Sequence, residues 1–468
     1  MLTPTSRPGN TPALRWSGHR PSIPPRGALV TSGRTLIIAV DGLDEQDLPH
    51  LAERASLRGG LFGGVSEGPS GAATRLQIPP GGSTESVPTL LSLVTGTSPA
   101  RAGVTTQHPF STGPATARSD WYADSLRVPT LFDQAREQGL VTAALQWPAT
   151  AGADIDLCLP LTEDPHRYRH RWEMAEATSS PRMVAEHLTA RREAGVQLSQ
   201  VPPDDLVAEI AADCLRLGPV DLLALRLTGL GSVRRRAGMT GPDPSRALAD
   251  TIDALDQVLT SFAPDDADRV VLVPGRPLVP TDLRVHPNAV LAERGLLRAD
   301  GPRLQDVRAL VWPDGPRGVL HVRRDEGEAV RESALAALTD LVDLARRNDL
   351  AAQEADDRRD DLPRLSLRRV DGGAGASAET DVIAVLEGSP GTVLGLSATR
   401  RSLVDGGDPY DDGPRAATDP SARTVAVARG PGLPTSDVEG SWADLGVTLA
   451  RAIGVELPAA TTQGMRPI

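Results

Sequence analysis

The chain contains no lysine, so all 49 of its basic side chains are arginine. That excludes mechanisms built on a lysine ammonium, such as a Schiff base or the lysine of a phosphate-binding P-loop. Two cysteines, Cys158 and Cys214, are too few for a disulfide framework or a cysteine-based zinc site. No apolar run approaches the ~18 residues of a membrane span. The first residues also lack the apolar stretch of a secretory signal, so a cytoplasmic location is expected. Positive charge is in the minority, with 61 acidic residues and a net charge of −12 at pH 7. That balance argues against general nucleic-acid binding.

What is present fits a soluble globular protein. The 468 residues exceed one simple domain, and 40% hydrophobic with 24% charged residues excludes collagen-like, coiled-coil and fully disordered chains. Residues 1–33 are rich in Pro, Gly, Ser and Arg, with no acid before Asp41, and read as a loose arm. From Arg34 onward, short apolar runs alternate with amphipathic stretches. The runs Thr35–Val40, Val141–Gln146, Asp221–Leu227, Val270–Val273 and Thr424–Ala428 read as buried strands. Helices are expected at Val87–Val94, Thr130–Gln138, Asp205–Leu217, Ser245–Ser261, Glu328–Arg346 and Asp444–Ile453. This alternation implies an α/β fold with a mainly parallel sheet covered on both faces. Ligand sites in such sheets lie beyond the carboxyl ends of the strands. Residues 155–204 break the alternation with Arg- and His-rich sequence and read as an inserted cap. The mixed charges of Asn348–Asp361 and the Asp/Gly/Pro stretch Asp405–Pro420 read as solvated surface, and 457–468 as a tail.

Five blocks in order resemble the type I phosphodiesterase/nucleotide pyrophosphatase branch of the alkaline phosphatase superfamily. They are Leu36-Ile-Ile-Ala-Val-Asp41-Gly42, the stretch from Ser86-Val-Pro to Thr95-Gly96, and Gln146-Trp-Pro through Asp156. The last two are Asp221–Leu227 with Asp253–Leu259, and Val425–Pro431 with the closing helix. The resemblance spans residues 34–456. It implies one large three-layer α/β/α domain of alkaline phosphatase type, with the cap inserted. It also implies two metal ions, usually zinc, held by Asp and His at strand ends, with a Thr or Ser nucleophile. Two cations ~4 Å apart clamp the attacking and leaving oxygens of a phosphoryl group.

Carried over residue by residue, the resemblance places Asp41 at the first metal-ligand position and Ser86 at the nucleophile position. Ser86 or Ser83 also fits a plain helix N-cap. Gln107 falls where the family has an Asn that holds a phosphoryl oxygen, and Thr84 lies just ahead of the helix. The other ligand positions depart from the pattern. Gly231, Arg235 and Gly238 stand where the family has Asp, His and Gly. Pro274-Gly275-Arg276-Pro277 replaces its Ser-Asp-His-Gly, and Asp405-Gly406 or Gly406-Gly407 its last His-Gly. None of the eight histidines follows a strand in the ligand pattern, and His166 and His170, four apart, sit among arginines.

Loss of carboxylates and gain of guanidinium groups make the expected pocket electropositive. Arg235 and Arg276, with Gln107 and Thr84, are the candidate ligand-binding residues for a phosphorylated or other anionic small molecule. No metal or other cofactor is expected on this reading, and no protein partner is identified. The alternative is a working hydrolase or transferase that uses Ser86, with zinc as its cofactor. Drift of an abandoned site is the plain reading of the same substitutions.

Overall fold

A computed structural model of the chain describes residues 33–62, 74–78, 86–104, 121–162, 167–198, 203–275, 277–281, 283–300, 303–355, 365–370, 380–389, 391–399, 404–405, 410–412 and 424–467. The arm 1–32 and Ser83, Thr84, Gln107, His166, Arg276, Gly406 and Gly407 lie outside them.

The first six strands are β1 (Thr35–Val40), β2 (Thr74–Ile78), β3 (Thr142–Leu145), β4 (Leu157–Leu159), β5 (Leu222–Leu227) and β6 (Arg269–Pro274). Five of them pair in parallel in the order β6-β1-β5-β3-β4. The sheet continues past β6 through Thr424–Arg429, β2, Val438–Glu439 and Arg466–Pro467. Thr424–Arg429 runs antiparallel to both its neighbours.

Side-chain alternation along β1 shows why its apolar run is continuous. Leu36, Ile38 and Val40 enter one core layer with helices 204–217 and 242–262. Ile37 and Ala39 enter the other, with helices 86–95, 131–137 and 442–452. A strand buried on both faces needs apolar residues at every position. The three layers thus follow from the pattern. Helices 86–95 and 442–452 approach so closely that a Cβ at Gly446 would lie 1.9 Å from Leu93 O. Helices 131–137 and 442–452 begin with reciprocal capping boxes, Thr130 with Asp133 and Ser441 with Asp444.

Residues 155–204 contribute the edge strand β4 and helices whose Met183 and Leu188 join the core of the central sheet. A second hydrophobic unit forms elsewhere, between β6 and Thr424. Strands Ala309–Asp314, Arg317–Arg323, Thr380–Gly388 and Leu365–Arg369 make an antiparallel sheet. Helices 287–293 and 328–355 complete its own core around Leu291, Leu310, Leu320, Leu338 and Leu386. Helix 328–355 runs into the charge-rich stretch Asn348–Asp361 expected as solvated surface. The expected tail is anchored: Leu457 is buried, Thr461 N donates to Gly96 O at 3.2 Å, and Arg466–Pro467 pairs with Val438–Glu439. Among the described residues, no helix is long and apolar enough to cross a membrane.

Candidate functional site

The carboxyl ends of β1, β5 and β6 meet at Asp41. Its backbone N–H donates to Leu227 O at 2.9 Å, and Gly275 N–H donates to Val40 O at 2.7 Å. These bonds extend the parallel pairing one residue past the strands. Asp41 shares the parity of Ile37 and Ala39, so it faces the layer that holds helix 86–95.

Arg226, within β5, faces the same layer, opposite Ala39 in the register. Its guanidinium takes both carboxylate oxygens of Asp41: Nη2 donates to Oδ2 at 2.7 Å and Nε to Oδ1 at 3.3 Å. Both side chains are buried, at 6% and 4% exposure, so little water competes for the pair. A fork-to-fork contact of this kind fixes geometry as well as charge.

The positions flanking Asp41 are backbone. A Cβ on Gly231 would lie 2.9 Å from Asp41 Cβ, and one on Gly275 would lie 2.9 Å from Asp41 Oδ1. Gly42, at φ +78°, packs in turn on Gly231, where a Cβ would come within 2.5 Å of its Cα. Only glycine fits this turn and these contacts. The chain has closed around the carboxylate.

Helix 229–237 is held against this turn by a second buried pair. Arg234 Nη1 and Nη2 donate to Asp47 at 2.5 and 2.8 Å, and Nη1 also donates to Gly42 O at 2.7 Å. Arg235, next along the helix, is half-buried. Asp204 receives N–H bonds from Thr228 and Gly229, each at 2.9 Å, and so caps the start of the helix. Burial raises its pKa, the two backbone bonds oppose that, and the nearby Asp41 charge adds to the rise.

Ser86 is the first residue of helix 86–95 and is 2% exposed, and among the described residues its Oγ has no hydrogen-bond partner. It therefore does not serve as a side-chain cap. Beyond β3, Gln146 and Ala149 adopt left-handed φ of 55° and 52°, and Trp147 between them is fully buried. His170 caps helix 171–178, accepting from Glu173 N at 3.1 Å. His187 lies away from the strand ends, its Nε2 3.5 Å from Cys214 Sγ.

Residues 35–361 match the family model described as type I phosphodiesterase / nucleotide pyrophosphatase. The chain belongs to that family. Its alkaline-phosphatase-like sheet and layers agree with the assignment, and none of the curated proteins compared matches it.

Among the described residues around Asp41, the donors present do not fit two metal ions. Asp41, expected at the first ligand position, already has a guanidinium across both oxygens. Gly231 and Gly275 leave no room for donors beside it. Among the described residues, no three His, Cys, Asp or Glu gather as a metal would require. Sequence reasoning singled out Asp41 and Ser86 but passed over Arg226. Its signal was available: one arginine inside the otherwise apolar strand Leu222–Leu227, where a buried charge demands a partner.

Proposed function

We propose that this chain is a non-hydrolytic, metal-independent family member that holds an anionic, phosphorylated small molecule at the start of helix 86–95. The bidentate bond from Arg226 to Asp41 carries the reading. A buried carboxylate already matched by an internal cation gains little from a metal ion, and the metal's loss removes the clamp on which phosphoryl transfer depends. Without that clamp, Ser86 has no strong base to activate it.

The anion side rests on Ser86. Its buried, unpartnered Oγ lies at a helix N-terminus, where free N–H groups and the dipole favour negative charge. Arg235 and Arg276 are the proposed side-chain contacts, with Gln107 and Thr84 completing the set.

Two assays test this. A nitrophenyl phosphodiester should remain intact with zinc added; turnover abolished by a chelator would establish the hydrolase reading instead. Inorganic phosphate should raise the melting temperature by mass action. That rise should vanish in the Arg235→Glu/Arg276→Glu double variant; an unchanged response would remove both arginines from the site.

A further inference from the structure

The amino end of the central sheet holds a buried cation that its neighbours only partly satisfy. Arg269 opens β6 and Thr35 opens β1, and the two are partners in the parallel register. Register partners on adjacent strands, ~4.8 Å apart, point their side chains to one face. That face is the layer of Ile37, Val271 and helix 442–452. Arg269 is 5% exposed and Thr35 2%. Among the described residues, neither Arg269 Nη1 nor Thr35 Oγ1 has a hydrogen-bond partner, so the two are not bonded to each other either.

The rest of the guanidinium is anchored. Nε donates to Pro431 O at 2.7 Å. Gly430, at φ +125°, brings this turn so close that a Cβ on it would lie 2.8 Å from Arg269 Cα. The anchor is a carbonyl, not a carboxylate. The acid beside it, Asp268, is held by Arg34, whose Nη2 and backbone N–H take its two oxygens, and by Asp265 N–H at 3.2 Å. Burial accordingly lowers the Arg269 pKa, and the Asp268 charge recovers only part of that. An arginine cannot shed its proton to escape such a site. A buried charged donor left unmade is costly, and a negatively charged acceptor relieves that cost best.

We infer that Arg269 and Thr35 bind one small inorganic anion of chloride size between them, with Nη1 and the hydroxyl both donating to it. A monatomic anion takes both donors at once, and the burial of both side chains excludes a bulky one. The site stands apart from the phosphate reading: it lies at the opposite end of β1 from Asp41 and uses other residues.

Urea unfolding at fixed ionic strength, with sodium chloride replacing sodium gluconate, tests it. Chloride should stabilise the wild type along a saturating curve. At about ten times its dissociation constant, the unfolding equilibrium constant should fall about tenfold. Arg269→Met keeps the aliphatic stem, removes the charged donor and should leave no saturating component. Thr35→Val is close in shape and removes only the hydroxyl. It should raise the chloride concentration needed for half the effect about tenfold, and it decides alone if Arg269→Met does not fold. Arg235→Glu/Arg276→Glu should respond to chloride as the wild type does, which separates this site from the phosphate one. No saturating chloride effect in the wild type, as when water alone meets these donors, would overturn the inference. So would a chloride response left unchanged by Arg269→Met or by Thr35→Val.

Discussion

Strand β1 carries an arginine–aspartate clamp at each end, and the two differ in burial and in what surrounds them. At the amino end, Arg34 bonds Asp268, which sits just ahead of β6: Nη2 to Oδ2 at 2.6 Å and its own backbone N–H to Oδ1 at 2.6 Å. Arg34 also donates to Phe262 O and lies 4.4 Å from the Phe262 ring, yet 36% of its side chain faces solvent. At the carboxyl end, Arg226 and Asp41 are sealed, with glycine backbone on either side. The amino-end pair ties neighbouring strands, as any surface of a sheet allows. The carboxyl-end pair does the same at the edge where α/β sheets keep their ligands. The lesson is that the chain uses the carboxyl end of its central strand as a piece of internal structure.

Breaking each clamp should sharpen that contrast. Arg226→Met strands a buried carboxylate and should cost about 3–5 kcal/mol. Urea unfolding should recover most of the loss in Arg226→Met/Asp41→Asn, because the second change removes the orphaned charge. Gly231→Ala comes next: its Cβ meets Asp41 at 2.9 Å. Such overpacking should cost about 1–3 kcal/mol in the same measurement. Arg34→Ala should cost on the order of 1 kcal/mol, since water can replace the half-exposed guanidinium at the vacated acceptors, the Asp268 carboxylate and Phe262 O.

The smallest effect is one of pH. Burial pushes the Asp268 carboxyl up, but the bonds from Arg34 outweigh that and hold it below the usual carboxylate range. A depressed folded pKa gives stability that is present above the unfolded value, ~3.9, and lost as pH falls through the folded one. Unfolding followed from pH 5 down to pH 3 should therefore show a steeper acid loss in the wild type than in Arg34→Ala. Parallel slopes would mean that the amino-end clamp carries no proton linkage.

Much of this was legible in the sequence, for reasons particular residues make plain. β1 was found to the residue, because Thr35–Val40 is apolar throughout and stops at Asp41-Gly42. Helix 86–95 and the closing helix were found within two residues of their ends from their apolar spacing. The direction of Thr424–Arg429 was not legible, since a strand buried on both faces reads the same either way. The unit at 283–394 was missed because a central pairing of its sheet, Arg317–Arg323 with Thr380–Gly388, spans a long sequence gap that holds helix 328–355. Helix 328–355 was read too short: alanine, leucine, glutamine and arginine are strong helix formers, and charge alone does not end a helix.

At the site, one-dimensional reasoning singled out Asp41 but not the guanidinium that pairs with it. The substitutions at Gly231 and Gly275 read as missing ligands, whereas in space they are close contacts on Asp41. Its partner, Arg226, lies 185 residues from Asp41 in the chain and becomes its neighbour only through the β1–β5 register.

The central claim is that an internal guanidinium has taken over the role of the metal ions. Elemental analysis of the purified chain after incubation with zinc and removal of the excess tests it most directly. The account expects only a trace of retained zinc; retention approaching about two ions per chain, as a two-metal centre requires, would contradict it.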